Sequence, residues 1–425
     1  YQVPALCLPG ITLVLSPLIA LMKDQVDALV ARGVSATFIN SSLSRAERES
    51  RYVGLARGDF RLVYVTPERF RKASFCNALT QANVSLLAVD EAHCISQWGH
   101  DFRPDYSRLE NIRKLLGQPT TLALTATATA EVQADIAVQL GLTPGSDEGQ
   151  IKTFHRGIDR PNLTLAVEEP YDEDAKLAAI KRLAQPGSIV YFTLIKTLRH
   201  YSEQLRLEGV PRLNYHGDLD RHQRRGVQDD FMAGDAPLVL ATNAFGMGID
   251  KADIRAVIHA ELPGSLESYY QEVGRAGRDG KPATCTLLYD QRDLATQMEF
   301  LRWANPNADF YIRVKNLIED EHERIHAEGL EYLRKKLLHR QWKHDRRLDT
   351  ALAMLERHGV LSPDSEWRDE DHPHLELVGE LPPELIDPDH LAEKLRRGQE
   401  KLLALVNYVK CEGDRKAYLN DYFGV

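Results

Sequence analysis

The residues with the clearest chemical potential are two adjacent carboxylates, Asp90 and Glu91, in the run Val89-Asp90-Glu91-Ala92-His93. They follow the apolar stretch 86–89, and the C-terminal end of a buried strand is where open α/β sheets bind ligands. In that position Asp90 is suited to hold Mg²⁺, and Glu91 to orient or deprotonate a water attacking a γ-phosphate. The plainer alternative is that the two acids cap a helix N-terminus. A second candidate group is Tyr270-Gln271-Glu272-Val273-Gly274-Arg275-Ala276-Gly277-Arg278-Asp279-Gly280. Its arginines, three apart, are expected on one helical face, and its glycines permit close backbone approach to a ligand. Guanidinium matches phosphate oxygens in a bidentate fork, so Arg275 and Arg278 suit stabilisation of developing charge. A Gly-rich turn with solvated arginines is the alternative. Third come Ser16-Pro17-Leu18 and the run 123–129, with Thr125 and Thr127, at strand ends whose hydroxyls and N–H groups suit a nucleic-acid backbone. Ordinary N-capping by Ser and Thr is compatible with that.

These groups need a scaffold of strands that end together. Strand-like runs occur at Ile11–Leu15, Ala36–Ile39, Leu62–Val65, 86–89 and 121–124, with amphipathic stretches such as 19–32 between them. Alternation of β and α predicts a parallel sheet with helices on both faces. Residues 143–150 read as a turn-rich connection and 155–162 (HRGIDRPN) as a linker. A second αβ series has strands at 188–192, 211–215, Leu238–Ala241, 256–258 and 284–289, and the pattern stops near 305–307. Beyond it the chain reads as mainly helical, with 349–358 and Gly359 as a helix and its C-cap. The expected domains are 1–158, 159–305 and 306–425.

Composition narrows the class. The chain has 425 residues, 43% hydrophobic and 27% charged, which excludes a disordered or fibrous protein. Its formal charge is −9, from 53 Lys and Arg against 62 Asp and Glu. Five scattered cysteines without a CxxC pair argue for a reducing compartment and against a disulfide framework, so a cytoplasmic location is expected, nucleoid-associated if the protein is bacterial. The uncharged opening 1–22 is interrupted by Pro4, Pro9, Gly10 and Pro17, so no membrane segment is expected.

The run Asp90-Glu91-Ala92-His93-Cys94-Ile95-Ser96-Gln97-Trp98-Gly99-His100-Asp101-Phe102-Arg103-Pro104 resembles the RecQ family of superfamily 2 DNA helicases. The portion after D-E-A-H is similar to that family's aromatic-rich loop. Supporting matches are 16–26 (SPLIALMKDQV), 64–69 (YVTPER), 240–250 (LATNAFGMGID) and 268–280, so the resemblance covers residues 1 to about 305. It implies two tandem RecA-like parallel-sheet domains followed by a mainly helical C-terminal domain. The implied activity is ATP-dependent DNA unwinding with 3′→5′ translocation on single strands, in repair or recombination. Implied ligands are ATP, Mg²⁺, single-stranded DNA and duplex junctions, acting on a monomer with no membrane partner and no named repair-protein partner.

By resemblance, Asp90 and Glu91 bind Mg²⁺ and activate water, Arg278 is the arginine finger with Arg275 beside it, and Gln271 belongs to the same catalytic motif. His93, Gln97, Gly248 and Asp250 couple the nucleotide site to DNA. Trp98, Phe102 and Arg103 meet single-stranded DNA, joined by Ser16, Pro17, Thr125, Thr127, Thr242 and Asn243. Base stacking on aromatics tolerates any sequence, which agrees with the loop assignment. Core packing is the alternative for Trp98. An RNA helicase, an ATP-independent DNA-binding or strand-annealing protein, and a motor used as a scaffold remain alternatives.

Two family features fall at the chain's ends. No G-x-x-x-x-G-K-[ST] loop occurs in these residues, and in the family that loop lies just before a segment resembling 1–5, so the intact protein is expected to carry it upstream. A zinc module is expected only if the chain continues beyond Val425. Cys411 alone cannot make a tetrahedral site, and a lone buried thiol is the alternative. Within the insert 310–398, residues 348–378 read as a helix followed by a wing, but the candidate wing 362–373 is acidic, which repels phosphate. The basic run 334–347, with seven basic residues against one Asp, is therefore the favoured duplex contact. A solvated helix face paired with the acidic stretch 319–331 is its alternative.

Overall fold

The buried β-branched runs become strands, and most stretches between them become helices. The computed structural model describes residues 1–96, 106, 109–142, 151–155, 157–234, 238–246, 249, 251–338, 345–362, 365, 367 and 373–424. In chain order the elements begin with α1 (Gln2–Cys7), β1 (Ile11–Leu15), α2 (Ile19–Ala31), β2 (Ala36–Ile39), α3 (Arg45–Arg57) and β3 (Leu62–Val65). Next come α4 (Ala73–Thr80), β4 (Val84–Val89), α5 (Leu109–Leu115), β5 (Thr120–Ala123) and α6 (Ala130–Gln139). The second series is β6 (Leu163–Glu168), α7 (Glu173–Leu183), β7 (Ser188–Tyr191), α8 (Ile195–Leu207), β8 (Leu213–Tyr215), α9 (Arg221–Ala233), β9 (Leu238–Ala241), β10 (Ala256–His259), α10 (Leu266–Val273) and β11 (Ala283–Leu288).

Two parallel sheets result, ordered β2-β3-β1-β4-β5 and β6-β11-β10-β7-β9-β8. In the first, β1 sits between β3 and β4 with Leu15 level with Val65 and Val89, so the strand ends are flush. All five residues of β1 are buried, as expected of a central strand covered on both faces. Parallel strands joined by right-handed crossovers all end on one edge, and the polar residues after those ends gather there. In the second sheet, β7 pairs with β10 and β9, with Tyr191 level with His259 and Ala241.

One strand lies outside the sequence expectation. β6 follows directly on the segment read as a linker, and it completes the edge of the second sheet by pairing with β11 from Leu163 to Glu168. Its burial pattern is only partial, as befits an edge, so its apolar signal is weak. The helices after the second sheet are α11 (Asp293–Ala304), α12 (Ala308–Asp320), α13 (His322–Glu328), α14 (Leu330–Leu337), α15 (Arg347–Arg357), α16 (Pro383–Ile386), α17 (Pro388–Val409) and α18 (Arg415–Phe423).

Packing parts the chain differently from the expected boundary at 305. Both sheets and 404–424 form one compact unit, while Ala295–Leu403 forms another. The end of α17 and α18 return to the second sheet: Tyr408 and Tyr269 join through their hydroxyls at 2.9 Å, and the Tyr422 hydroxyl donates to Glu267 at 3.0 Å. Pairing over such sequence distances is not encoded in local periodicity, so a boundary drawn from periodicity misses it. The second unit has its own core, with Phe310, Val314, Leu333, Leu348, Leu352 and Leu355 buried together. After α15, Gly359 adopts φ 70, and an antiparallel bridge joins Leu361 to Leu377, flanked by bonds from Ser362 N to Glu376 O and Val378 N to Val360 O. Most of the acidic stretch 362–373 lies outside the described residues. Among the described residues, no helix is long and apolar enough to cross a membrane.

Candidate nucleotide and nucleic-acid site

Asp90 and Glu91 leave the end of β4, between β1 and β5. The Asp90 N–H donates to Leu15 O at 2.8 Å, which carries the sheet pairing one residue past the strand. Glu91 then turns the chain, with φ 50 and ψ 47, and Ala92–Ile95 form a single short 3-10 turn. The left-handed conformation is uncommon and costly for a residue with a Cβ. The Glu91 side chain caps nothing, so helix capping does not explain these acids. Burial pushes the Asp90 carboxyl above its ordinary range, while the N–H of Glu91, donating to Oδ1 at 3.1 Å, acts in the opposite direction.

From Glu91 a polar path leads away from the strand end. Glu91 Oε2 lies 3.3 Å from Nδ1 of the buried His93, and the same nitrogen lies 3.0 Å from Thr125 Oγ1. Thr125 Oγ1 accepts the Thr127 N–H at 3.3 Å. Thr127, beyond the end of β5, is buried, and its hydroxyl accepts a hydrogen bond from Gln271 Nε2 of α10 at 3.1 Å. Five residues from three sequence regions thus connect the carboxylate edge of the first sheet to the helix preceding the two arginines.

The arginines themselves are placed differently from the expectation. α10 ends at Val273 with Gly274 as its C-cap, so Arg275 and Arg278 lie in the turn beyond it and not on one helical face. Gly277, at φ 55, takes a left-handed step that sustained helix does not allow. Arg275 donates to the Gly246 carbonyl, and Arg278 donates through Nη1 to Ile249 O at 3.3 Å. Gly246 sits at φ 145, a backbone conformation that favours glycine, with the Arg275 guanidinium packed against it. Tyr191 steadies the same segment by donating to Phe245 O at 3.0 Å. Under the turn, His259 Nε2 and Glu272 Oε2 meet at 2.7 Å in a buried pair, and the His259 ring stacks on Tyr191. Neither His259 nor Glu272 stood out in the sequence; Glu272 lies inside the arginine run but three residues before the first of its arginines.

The expected DNA contacts divide. Asn243 and Thr125 are exposed, whereas Ser16, Thr127 and Thr242 are buried. The Ser16 hydroxyl accepts the Leu18 N–H at 3.4 Å, and the Thr242 N–H donates to Tyr215 O at 3.1 Å, so both also secure strand ends. Pro17 follows Ser16 at the end of β1. Gln97, Trp98, Phe102, Arg103, Gly248 and Asp250 lie outside the described residues. Cys411 is half-buried beside Arg415, which donates to its carbonyl at 2.7 Å. Among the described residues, no three His, Cys, Asp or Glu side chains gather as a metal site. In the basic run, Arg334 pairs with Asp349 at 3.2 Å and Arg347 with Asp345 at 2.6 Å, leaving Lys335 and Lys336 on the last turn of α14.

The two parallel sheets, one with D-E-A-H after its strand end and one with the arginine turn, are the parts of the chain that match helicase families. The chain matches the DEAD/DEAH box helicase family over residues 1–136 and the helicase conserved C-terminal domain over residues 172–280. It is 44% identical over 299 residues to the ATP-dependent DNA helicase RecQ of Bacillus subtilis, covering 70% of this chain and 50% of that one. Identity to the ATP-dependent DNA helicase RecQ of Haemophilus influenzae is 43% over 306 residues, covering 71% and 48%. The chain belongs to the RecQ family of DNA helicases, and it spans about half the length of these two relatives. The crystal structure of the DUF1998 helicase MrfA bound to DNA and AMPPNP shares the fold, with a TM-score of 0.52 at 18% identity, over 90% of this chain and 56% of that one.

Proposed function

We propose that the protein is an ATP-dependent DNA helicase that couples ATP hydrolysis to 3′→5′ movement on single-stranded DNA and to duplex unwinding in repair or recombination. The observation that carries this reading is the path Glu91–His93–Thr125–Thr127–Gln271, because it ties the carboxylate edge of one sheet to the arginine-bearing segment of the other. A motor needs such a link, since hydrolysis at one place must be felt by the partner domain. The names of the RecQ relatives support the choice of DNA.

In this reading Asp90 holds Mg²⁺ together with nucleotide phosphates. Its carboxyl fits that role: it is partly buried, burial disfavours its charge, and a hard divalent cation with oxygen ligands offsets such a penalty. Bound Mg²⁺ supplies charge neutralisation on the phosphates. Glu91 orients the attacking water and accepts its proton, and His93 fixes the Glu91 carboxylate. Arg275 and Arg278 leave the carbonyls of Gly246 and Ile249 to meet developing phosphate charge when the domains close. Asn243 and Thr125, with Ser16, Pro17, Thr242 and the loop residues Trp98, Phe102 and Arg103, contact the strand, and Lys335, Lys336 and Arg346 contact the duplex.

The test is ATP hydrolysis by the full-length protein with single-stranded DNA or RNA as activator, and strand displacement from duplexes tailed at the 3′ or 5′ end. DNA-stimulated turnover and displacement from the 3′-tailed duplex are expected. Equal activation by RNA would favour an RNA helicase instead, and annealing without ATP consumption would favour the strand-annealing alternative.

A further inference from the structure

The segment between the two sheets behaves as a clamp on the arginine turn. α10 ends at Val273, where the Arg275 N–H donates to Glu272 O at 3.3 Å and the Ala276 N–H to Val273 O at 3.0 Å, so the carbonyls of Gly274, Ala276 and Gly277 belong to the turn beyond the helix. Arg160 meets them with one fork: Nη1 donates to Gly274 O at 3.2 Å, and Nη2 to Ala276 O and Gly277 O, each at 2.9 Å. These carbonyls flank Arg275 and immediately precede Arg278. Asn162 adds a second hold, donating through Nδ2 to Gly277 O at 2.8 Å and Lys281 O at 2.9 Å. A Cβ on Gly277 would stand 2.5 Å from that nitrogen, so the turn and the clamp are matched in shape. The Tyr270 hydroxyl donates to Ile158 O at 2.5 Å, and Lys416 Nζ of α18 donates to Arg160 O at 2.9 Å. The clamp is thereby fastened to α10 on one side and to α18 on the other.

We infer that Arg160, assisted by Asn162, is a positioning residue for Arg275 and Arg278; this rests on the helicase reading for its effect on turnover, though not for its effect on the turn. Residues 274–280 contain three glycines, and a chain so rich in glycine does not hold a side chain in place by itself. A guanidinium that stabilises phosphate charge must be placed to within about half an ångström. Five N–H donors in a rigid plane span several carbonyls at once, which a lysine ammonium does less well. Arg160 therefore directs its donors to backbone and touches no substrate.

Arg160→Ala, Arg160→Lys and Asn162→Ala in the full-length protein test this, with kcat and KM of DNA-stimulated ATP hydrolysis and hydrogen exchange of amides 274–281 as readouts. Arg160→Ala is expected to lower kcat about 10- to 100-fold while KM for ATP and Kd for single-stranded DNA move less than about threefold, the signature of a missing transition-state interaction. Arg160→Lys should recover part of that activity. In an Arg278→Ala background the further decrease from Arg160→Ala should vanish, because residues acting as one unit are not additive. Exchange across 274–281 should accelerate at least about tenfold in Arg160→Ala while β10 and β11 stay protected. Unchanged exchange, or the same fractional decrease of kcat with and without Arg278, would overturn the inference. If wild-type protein shows no DNA-stimulated hydrolysis, the helicase reading fails and exchange alone decides the clamp. If Arg160→Ala does not fold, Asn162→Ala and Arg160→Lys decide by the same two criteria.

Discussion

Replacing Glu91 by glycine, alanine and glutamine separates what its backbone costs from what its carboxylate does. At φ 50 and ψ 47 a residue with a Cβ is strained by about 1–2 kcal/mol. Glycine relieves that strain, although its greater freedom in the unfolded chain offsets about 0.5–1 kcal/mol of the gain. The half-buried interaction with His93 at 3.3 Å contributes less than about 1 kcal/mol. Glu91→Gly should therefore match the wild type within about 1 kcal/mol, whereas Glu91→Ala gives up the His93 interaction and keeps the strain. The sign of the Gly–Ala difference is the sharp point. In a right-handed helix alanine is the more stable by about 0.5–1 kcal/mol, but here glycine should lead by about 1 kcal/mol, or roughly 2–4 °C in the unfolding transition of a domain this size. All three variants should fall about 10²- to 10⁴-fold in the kcat of DNA-stimulated ATP hydrolysis, the usual contribution of a positioned general base. Thermal unfolding of the glycine and alanine variants side by side, with steady-state hydrolysis, supplies both numbers. Alanine being the more stable would refute the left-handed turn, and Glu91→Gln keeping more than about a tenth of turnover would refute its role as the base.

The bond from Gln271 Nε2 to Thr127 Oγ1, at 3.1 Å, predicts a double-mutant coupling of about 0.5–1.5 kcal/mol in kcat for Thr127→Val and Gln271→Ala. Additive effects would show that the link transmits nothing. Asp293 accepts the Leu262 N–H at 3.0 Å, and burial, opposed by Lys176, lifts its pKa to about 6. A raised carboxyl pKa favours the folded state below about pH 4, an advantage that fades as pH rises through 6. Asp293→Asn should thus be more stable than wild type at pH 7.5, by on the order of 1 kcal/mol, and the gain should disappear in urea unfolding at pH 4. Neutralising Lys335, Lys336 and Arg346 should reduce the slope of log K for duplex DNA against log salt by about 0.9 for each phosphate that these side chains had neutralised. Arg347 is left intact because it pairs with Asp345 at 2.6 Å and its guanidinium lies over the Phe310 ring. An unchanged slope would remove these residues from the duplex interface.

How much was legible follows from the range over which each feature is set. β1, β2, β3 and β9 run between the residues expected, since a strand covered on both faces leaves an uninterrupted apolar run. β6, at the edge and partly exposed, leaves no such trace, and the segment before it read as a linker although it carries Arg160 and Asn162. Asp90 and Glu91 were legible because the strand end that places them is local. The arginine turn was legible as to residue types and misread as to shape: three glycines permit both a helix end and a turn, and the turn is accompanied by long-range bonds, from Arg160 and Asn162 to its carbonyls and from its own N–H groups to Ile254 O and Ala252 O.

The amino-acid sequence by itself determined the two αβ series and the RecQ-family resemblance carried by its carboxylate and arginine motifs, because these depend on periodicity and on short motifs. Tertiary structure alone decided that Thr127 faces inward to Gln271, that His259 pairs with Glu272 and that the last helix returns to the second sheet. Such pairings join residues as far as 155 positions apart. Their partners are chosen by packing and by the need to satisfy buried polar groups, and no local pattern records that choice.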